Sequence, residues 1–274
     1  AMAHDTWASV LGLGALRDGY AYNLSGTTEV FGVLSDRRAS AEGLLSVDWG
    51  EAVHQLGGPS QNGADTVIWA LELMSRHAVD PASVGRELQA ILAERRHPQP
   101  VVFLPYLQGE RTPYWNAALR GAFIGLNRRH RAVDCVWAVL EGVAFLNRIV
   151  LERAEAANGR TVGEIRFGGG GSSNETWCRI KADICERPVV VTRSAEPGLV
   201  GGAIAGFHAL GEVASLEEGQ ERMVAIARRH EPDRERRDDY RRLYDLYRRA
   251  ETALAPISAG LSRWTRDRID GSAR

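Results

Sequence analysis

Residues 166–184 read RFGGGGSSNETWCRIKADI. An apolar, strand-like run ends in four glycines and opens at once into a helix pattern. Such a junction puts bare backbone and the unpaired first N–H groups of a helix at one point. That arrangement can hold an anion or a nucleotide. Gly169, Gly170 and Gly171 are the candidate contact backbone, with Ser172, Ser173 and Asn174 as side-chain donors at the mouth. A turn that merely needs positive φ produces the same pattern, so the glycines alone leave both readings open. Two named motifs are excluded. No Gly-Lys-Ser/Thr follows, so this is not a Walker loop, and no acidic residue stands after a second strand at dinucleotide-fingerprint distance.

The periodicity around this junction sets the fold class. Residues 5–16 predict a helix begun near Asp5 and ended by the Asp18-Gly19 turn. YAYNLSGTTEVFGVLSD predicts two strands joined by the tight turn Ser25-Gly26-Thr27-Thr28. Gly57-Gly58-Pro59 reads as a breaker before an amphipathic helix that starts near Asn62, and a short helix follows over 83–95. Residues 101–127 predict a strand, a Gly/Pro-punctuated loop and a second strand. A long helix over 133–157 places Val136, Leu140, Val143, Leu146 and Val150 on one face. Strands at 164–167 and 188–192 alternate with helices at 174–185 and 199–210, and helices at about 215–230 and 233–257 close the chain. Residues 261–274 read as a frayed tail. Strands first, then alternating helix and strand, predict an α/β domain with a mixed β-sheet flanked by helices.

Composition narrows the partners. A formal net charge of -1 over 274 residues gives no electrostatic footprint for nucleic acid or an acidic membrane. The basic residues are nearly all Arg, and Lys is nearly absent, with Lys181 its one occurrence. Cys135, Cys178 and Cys185 lack framework or Cys-x-x-Cys spacing, so the reading is reduced thiols in a cytoplasmic protein with no metal site. No apolar run is long enough to span a bilayer. The charged stretch 227–250 balances Arg against Glu and Asp and reads as a solvated helix.

Two further residue sets carry chemistry. Turn N–H groups and hydroxyls at Gly26, Thr27 and Thr28 can hold phosphate oxygens, although a plain hairpin turn looks the same. Asp5 at a helix start is a cap by default, and it is also placed to take a proton from an alcohol.

In order, these pieces resemble the FGGY family of carbohydrate kinases, in its C-terminal domain only. AHDTWASVLGLGALRDGYAYNLSGTTEV resembles the family's Gly-x-x-Asp block and Gly-Thr-Ser/Thr phosphate turn. FLPYLQGERTPYWNAALRGAFIGL is similar to its Pro-Tyr-Leu-x-Gly-Glu-Arg-x-Pro segment, AVLEGVAF to its Glu-Gly-Val/Ile-Ala helix, and residues 168–211 to its adenosine loop and Gly/Ala helix. The resemblance implies an actin-like ATPase (ribonuclease H-like) fold over residues 1–260, with ATP and Mg²⁺ as cofactors. By the same resemblance Asp5 is the base, and Gly26, Thr27 and Thr28 touch the phosphates. Asn62 and Gly63 approach ribose or phosphate, and Gly169, Gly170, Gly171, Ser172 and Asn174 form the adenosine loop. Glu110 and Arg111 are expected to pair structurally, Glu141 and Glu196 to be structural, and His4 to be a packed or exposed neighbour of Asp5.

The implied partners are a small sugar or polyol, with a pentulose such as xylulose favoured, and the N-terminal kinase domain that this chain lacks. A homodimer is allowed; nucleic acid and membrane are not expected. The rivals are a sugar-independent actin-like ATPase, which would lack the Gly-Glu-Arg block, and a non-catalytic nucleotide-binding module.

Overall fold

The computed structural model describes residues 5–50, 52–75, 77–80 and 82–272. His4 lies outside them. Seven strands form one mixed sheet in the order β3-β4-β2-β1-β7-β8-β9. β1 (Tyr20–Ser25) turns through residues 26–28 into antiparallel β2 (Glu29–Ser35), which pairs with β4 (His54–Ser60), itself flanked by β3 (Leu45–Asp48). On its other side β1 runs parallel to β7 (Glu164–Gly168), and β7 runs parallel to β8 (Val189–Thr192). The antiparallel β9 (Ile226–His230) closes that edge. A separate two-stranded ribbon pairs β5 (Val102–Leu104) with β6 (Ala122–Ile124).

Alternation along the strands sorts the two faces. Ala21, Phe31, Val33, Ile165, Phe167, Val189 and Val191 pack under α4 (Ala132–Asn158) and α5 (Glu175–Cys185). Tyr22 and Leu34 face α1 (Asp5–Gly12), α6 (Pro197–Ala209) and α7 (Leu216–Met223). Beyond α4 a third layer holds α2 (Ala64–Ser75), α3 (Val84–Leu92) and α8 (Arg237–Ser272). α1 and α6 cross at their glycines: a Cβ on Gly201 would overlap the Ala8 carbonyl, and one on Gly12 would overlap the Pro197 carbonyl. The helices therefore run antiparallel in backbone contact.

Four expectations change. Gly57-Gly58-Pro59 is not a breaker; it lies inside β4, where the backbone is nearly extended and a Cβ at Gly57 would strike the Phe31 carbonyl of β2. Residues 226–230 are the edge strand β9 rather than the end of a helix, because they pair with β8. The first helix stops at Gly12, and Gly14 follows in the left-handed region with φ 68°. The last helix does not fray at 261; it continues to Ser272. Ser258 and Ser262 are buried on its inner face, with the Ser262 hydroxyl donating to the Ala118 carbonyl at 3.1 Å. Lower on α8, Glu251 accepts the hydroxyls of Tyr106 and Tyr114 from the β5–β6 connection.

Two glutamates are structural, as expected or more so. Glu141 on α4 is buried and joins Arg96 and the Tyr240 hydroxyl. Glu110 is buried and takes the Ser60 hydroxyl at 2.9 Å, the Gln61 N–H at 2.8 Å and the Asn62 amide at 2.8 Å. Its link to Arg111 is through that residue's backbone N–H at 2.7 Å, whereas the Arg111 guanidinium turns to the Ser60 carbonyl. The expected side-chain pair is thus replaced by a carboxylate serving four donors. Burial still holds the Glu110 carboxyl above its ordinary range, against the pull of those hydrogen bonds.

Beneath the sheet lies a buried ion pair. Lys181, the only lysine of the sequence, has its Nζ 2.9 Å from Glu29 Oε1 and 2.6 Å from Asn147 Oδ1, and the Asn147 amide donates to Glu29 Oε2 at 2.8 Å. Glu29 is 0% and Lys181 2% exposed, so each charge depends on the other. Removing one partner strands a desolvated charge, at a cost of about 3–5 kcal/mol. Lys181→Met is expected to lower unfolding free energy by about that amount. The double variant with Glu29→Gln should lose less than the two single losses added together, as urea titration of all three would measure.

Candidate functional site

The parallel strands β1 and β7 end side by side, at Ser25 and Gly168. Their carboxyl ends therefore bring the two glycine turns together, at the edge where open α/β sheets bind ligands. Contact between the turns is direct: a Cβ on Gly169 would overlap the Ser25 carbonyl. The start of α2 joins the same cluster. Ala64 N–H donates to the Gly26 carbonyl at 3.0 Å and Asp65 N–H to the Thr27 carbonyl at 3.2 Å. A Cβ on Gly63 would come within 2.5 Å of the Thr28 carbonyl carbon. Gly63 is thus a packing glycine, set so that α2 can abut the hairpin.

The glycines of the adenosine-like loop have different tasks. Gly169 has φ 82° and touches Ser25. A Cβ on Gly171 would stand 2.6 Å from the Trp177 ring. Gly170 alone among these three faces nothing within 4 Å. It opens onto a cavity of about 280 Å³ between the loop and helices α2 and α3. Ile68, Val84 and Leu88 form one wall, and Gly170, Gly171 and Trp177 the other. A wider cavity of about 540 Å³ continues outward along α3 and the first turn of α5, sharing Gly85, Ser173 and Asn174 with the first. An apolar slot with polar groups at its mouth suits a planar heterocycle.

The expected donors are largely committed within the protein. Ser172 and Ser173 give their hydroxyl protons to the carbonyls of Gly169 and Gly170, each at 2.8 Å. Asn174 caps α5, its Oδ1 accepting the Trp177 N–H at 2.9 Å. Gly26 donates its N–H to the Thr28 carbonyl at 3.0 Å, which leaves the exposed tip of the turn to Thr27. Asn62 lies beneath the site rather than in it: it is 1% exposed, and its amide bonds Gly109 and Glu110. The physical reason is common to all. A bare loop leaves carbonyls and helix N–H groups unpaired, and the nearest short polar side chains satisfy them first.

Asp5 is exposed at the first turn of α1, and its Oδ1 accepts the Thr6 N–H at 2.7 Å. The sequence reading did not single out Val84, Gly85 and Leu88 of α3, which close the slot; the apolar face of that short helix was the available signal. Nor did it single out Asp65, whose carboxyl burial holds above the ordinary range in the first turn of α2.

A family model described as the FGGY family of carbohydrate kinases, C-terminal domain, matches residues 21–210. The chain belongs to the FGGY family. It is 31% identical over 270 residues to a gluconokinase of Bacillus licheniformis, covering 92% of this chain and 50% of the relative. A xylulose kinase of Bacillus subtilis is 27% identical over 199 residues, covering 73% and 40% of the two chains. A glycerol kinase of Geobacter sp. is 31% identical over 242 residues, covering 86% and 47%. Among solved structures, a xylulose kinase from Brucella ovis superposes with a TM-score of 0.80 at 27% identity, over 93% of this chain and 52% of that one. One from Rhodospirillum rubrum, at 23% identity, shares the fold with a TM-score of 0.81, over 93% of this chain and 51% of that one. This FGGY chain spans about half the length of the curated relatives it matches. The actin-like fold and the mixed sheet expected from the resemblance are those observed. Among the described residues no helix is long and apolar enough to cross a membrane.

The three loop glycines give a sharp contrast. Gly170→Val should leave the thermal midpoint within about 2 °C of wild type, because the added side chain enters open space. Gly169→Val should lose on the order of 2 kcal/mol or more through strain at positive φ and overlap with Ser25. Differential scanning calorimetry of the two variants checks this.

Proposed function

We propose that this chain is the nucleotide-binding half of an ATP-dependent carbohydrate kinase, which transfers the γ-phosphate of ATP to a hydroxyl of a small polyhydroxylated acceptor. The observation that carries the reading is the meeting of the two glycine turns, with Gly170 open onto an apolar slot. The slot takes the base, Gly169–Gly171 lie against the nucleoside, and the Thr27–Thr28 tip reaches the phosphates. Ser172, Ser173, Asn174, Asn62 and Gly63 hold these parts in place. Mg²⁺ would enter with the phosphates and supply positive charge to them.

The relatives carry the names gluconokinase, xylulose kinase and glycerol kinase, so the acceptor is drawn from sugars, sugar acids and polyols rather than from pentuloses in particular. Asp5 is the base that accepts the proton of the attacking hydroxyl. Its place at an exposed helix start supports that role, since the carboxylate is open to an incoming hydroxyl. The N-terminal half seen in the length of the relatives would supply most acceptor contacts, and this chain alone is accordingly inactive or nearly so. Three buried, reduced cysteines accord with a cytoplasmic setting.

Calorimetric titration of this chain with Mg-ATP, sugar absent, is expected to show saturable one-site binding, and Gly170→Val is expected to abolish it. Unchanged affinity in that variant would remove the slot from the nucleotide site. In the protein complete with its N-terminal half, Asp5→Asn should lower kcat by about a hundred- to ten-thousandfold while the Kd for ATP stays put. Intact turnover in that variant would end the base assignment.

A further inference from the structure

The glycine loop is braced from within but needs an outer anchor. The Ser172 and Ser173 hydroxyls bond the Gly169 and Gly170 carbonyls, so they shape the loop without tying it to the rest of the protein. The tie is made at the Ser172 carbonyl. Arg228 donates to it from Nη2 at 2.9 Å, and the Cys178 thiol from Sγ at 3.4 Å. Burial pushes the Cys178 thiol up to about 11, which keeps it a neutral S–H donor at physiological pH. Arg228 also stands 3.7 Å from Glu175, in the first turn of the helix that the loop opens into.

Arg228 reaches this point from edge strand β9, in register with Val191 of β8. β9 lies beyond the segment matched by the family model. The guanidinium lines the outer cavity together with Gly85, Asn174 and Arg179. Its planar donor fork can hold a carbonyl and face a carboxylate at once, which a thiol cannot. A glycine-rich loop otherwise samples many conformations, and ordering it on ligand arrival would weaken binding.

We propose that Arg228 is a positioning residue for the nucleotide: by holding the Ser172 carbonyl it fixes the width of the slot between Gly170 and α3. The inference rests on the nucleotide reading of that slot. It places part of the binding apparatus on β9, a strand absent from the family-matched segment.

The test uses this chain with three probes. Titration with Mg-ATP should show Arg228→Met weakened about tenfold, the loss of one charge-assisted hydrogen bond, and Arg228→Lys restored to within about threefold of wild type. Competition by tripolyphosphate should be unchanged in all three proteins, because the phosphate turn lies on the far side of the loop from Arg228. Amide hydrogen exchange without ligand should quicken over residues 169–174 in Arg228→Met, with exchange in β1 and β7 unaltered. ATP affinity and loop exchange both equal to wild type in Arg228→Met would overturn the proposal. So would an equal loss of ATP and tripolyphosphate together with faster exchange in the core strands, which would mark a merely structural arginine. Failure of the wild-type chain to bind Mg-ATP would overturn the nucleotide reading instead, and loop exchange in Arg228→Met would still decide whether the strap exists.

Discussion

The buried pair of Lys181 and Glu29 is the constraint on which the site depends. Every other basic side chain of the sequence is an arginine or a histidine. The one lysine places a compact, point-like charge between Glu29 and Asn147. Its Nζ lies over the rings of Phe167 and Trp177, at 5.0 and 4.8 Å from their centroids. Glu29 directly follows Thr28 of the hairpin turn, and Trp177 forms a wall of the slot. Asn147 closes the triangle from the central helix α4. Shifting either turn away from the other would pull apart charges that have no water to fall back on, so the low dielectric locks the two turns in one geometry.

Close backbone approach does the remaining work. At the slot the glycines let the loop touch β1 and Trp177 while one of them stays open. At the α1–α6 crossing they let two helices meet without side chains between them. The first arrangement leaves open space beside Gly170. The second fixes the helix that carries Asp5 against the sheet layer behind the turns. Polar side chains near the slot mostly serve the protein itself, so what the slot presents is shape, apolar walls and backbone.

Long, strongly periodic elements were legible in the sequence because their pattern depends only on local spacing. The helix around Val136, Leu140 and Val143 and the strand–glycine–helix junction at 164–185 fall where the pattern puts them. Elements that exist only through a partner were not legible. Gly57-Gly58-Pro59 has every local mark of a turn, and it is a strand because Phe31 and Gly32 pass too close to leave room for side chains. Residues 226–230 are arginine-rich and become a strand by pairing with Val189–Thr192. The end of α8 stays helical because Ser258 and Ser262 find a surface to cover.

The sequence by itself determined the family, the order of the elements, and the glycines and Asp5 that mark candidate chemistry, since these rest on residue type and spacing. Only the tertiary structure decided which of those residues face a cavity. Gly170 and Gly171 are identical letters in one run, yet a Cβ on the first would enter open space and one on the second would strike the Trp177 ring. Asn62 and Asn174 are equally polar in the sequence, yet one is buried beneath the hairpin and the other is committed to a helix cap. The physical reason is that a backbone or amide group binds whatever satisfies it first, and what lies within reach is set by strands distant in the chain.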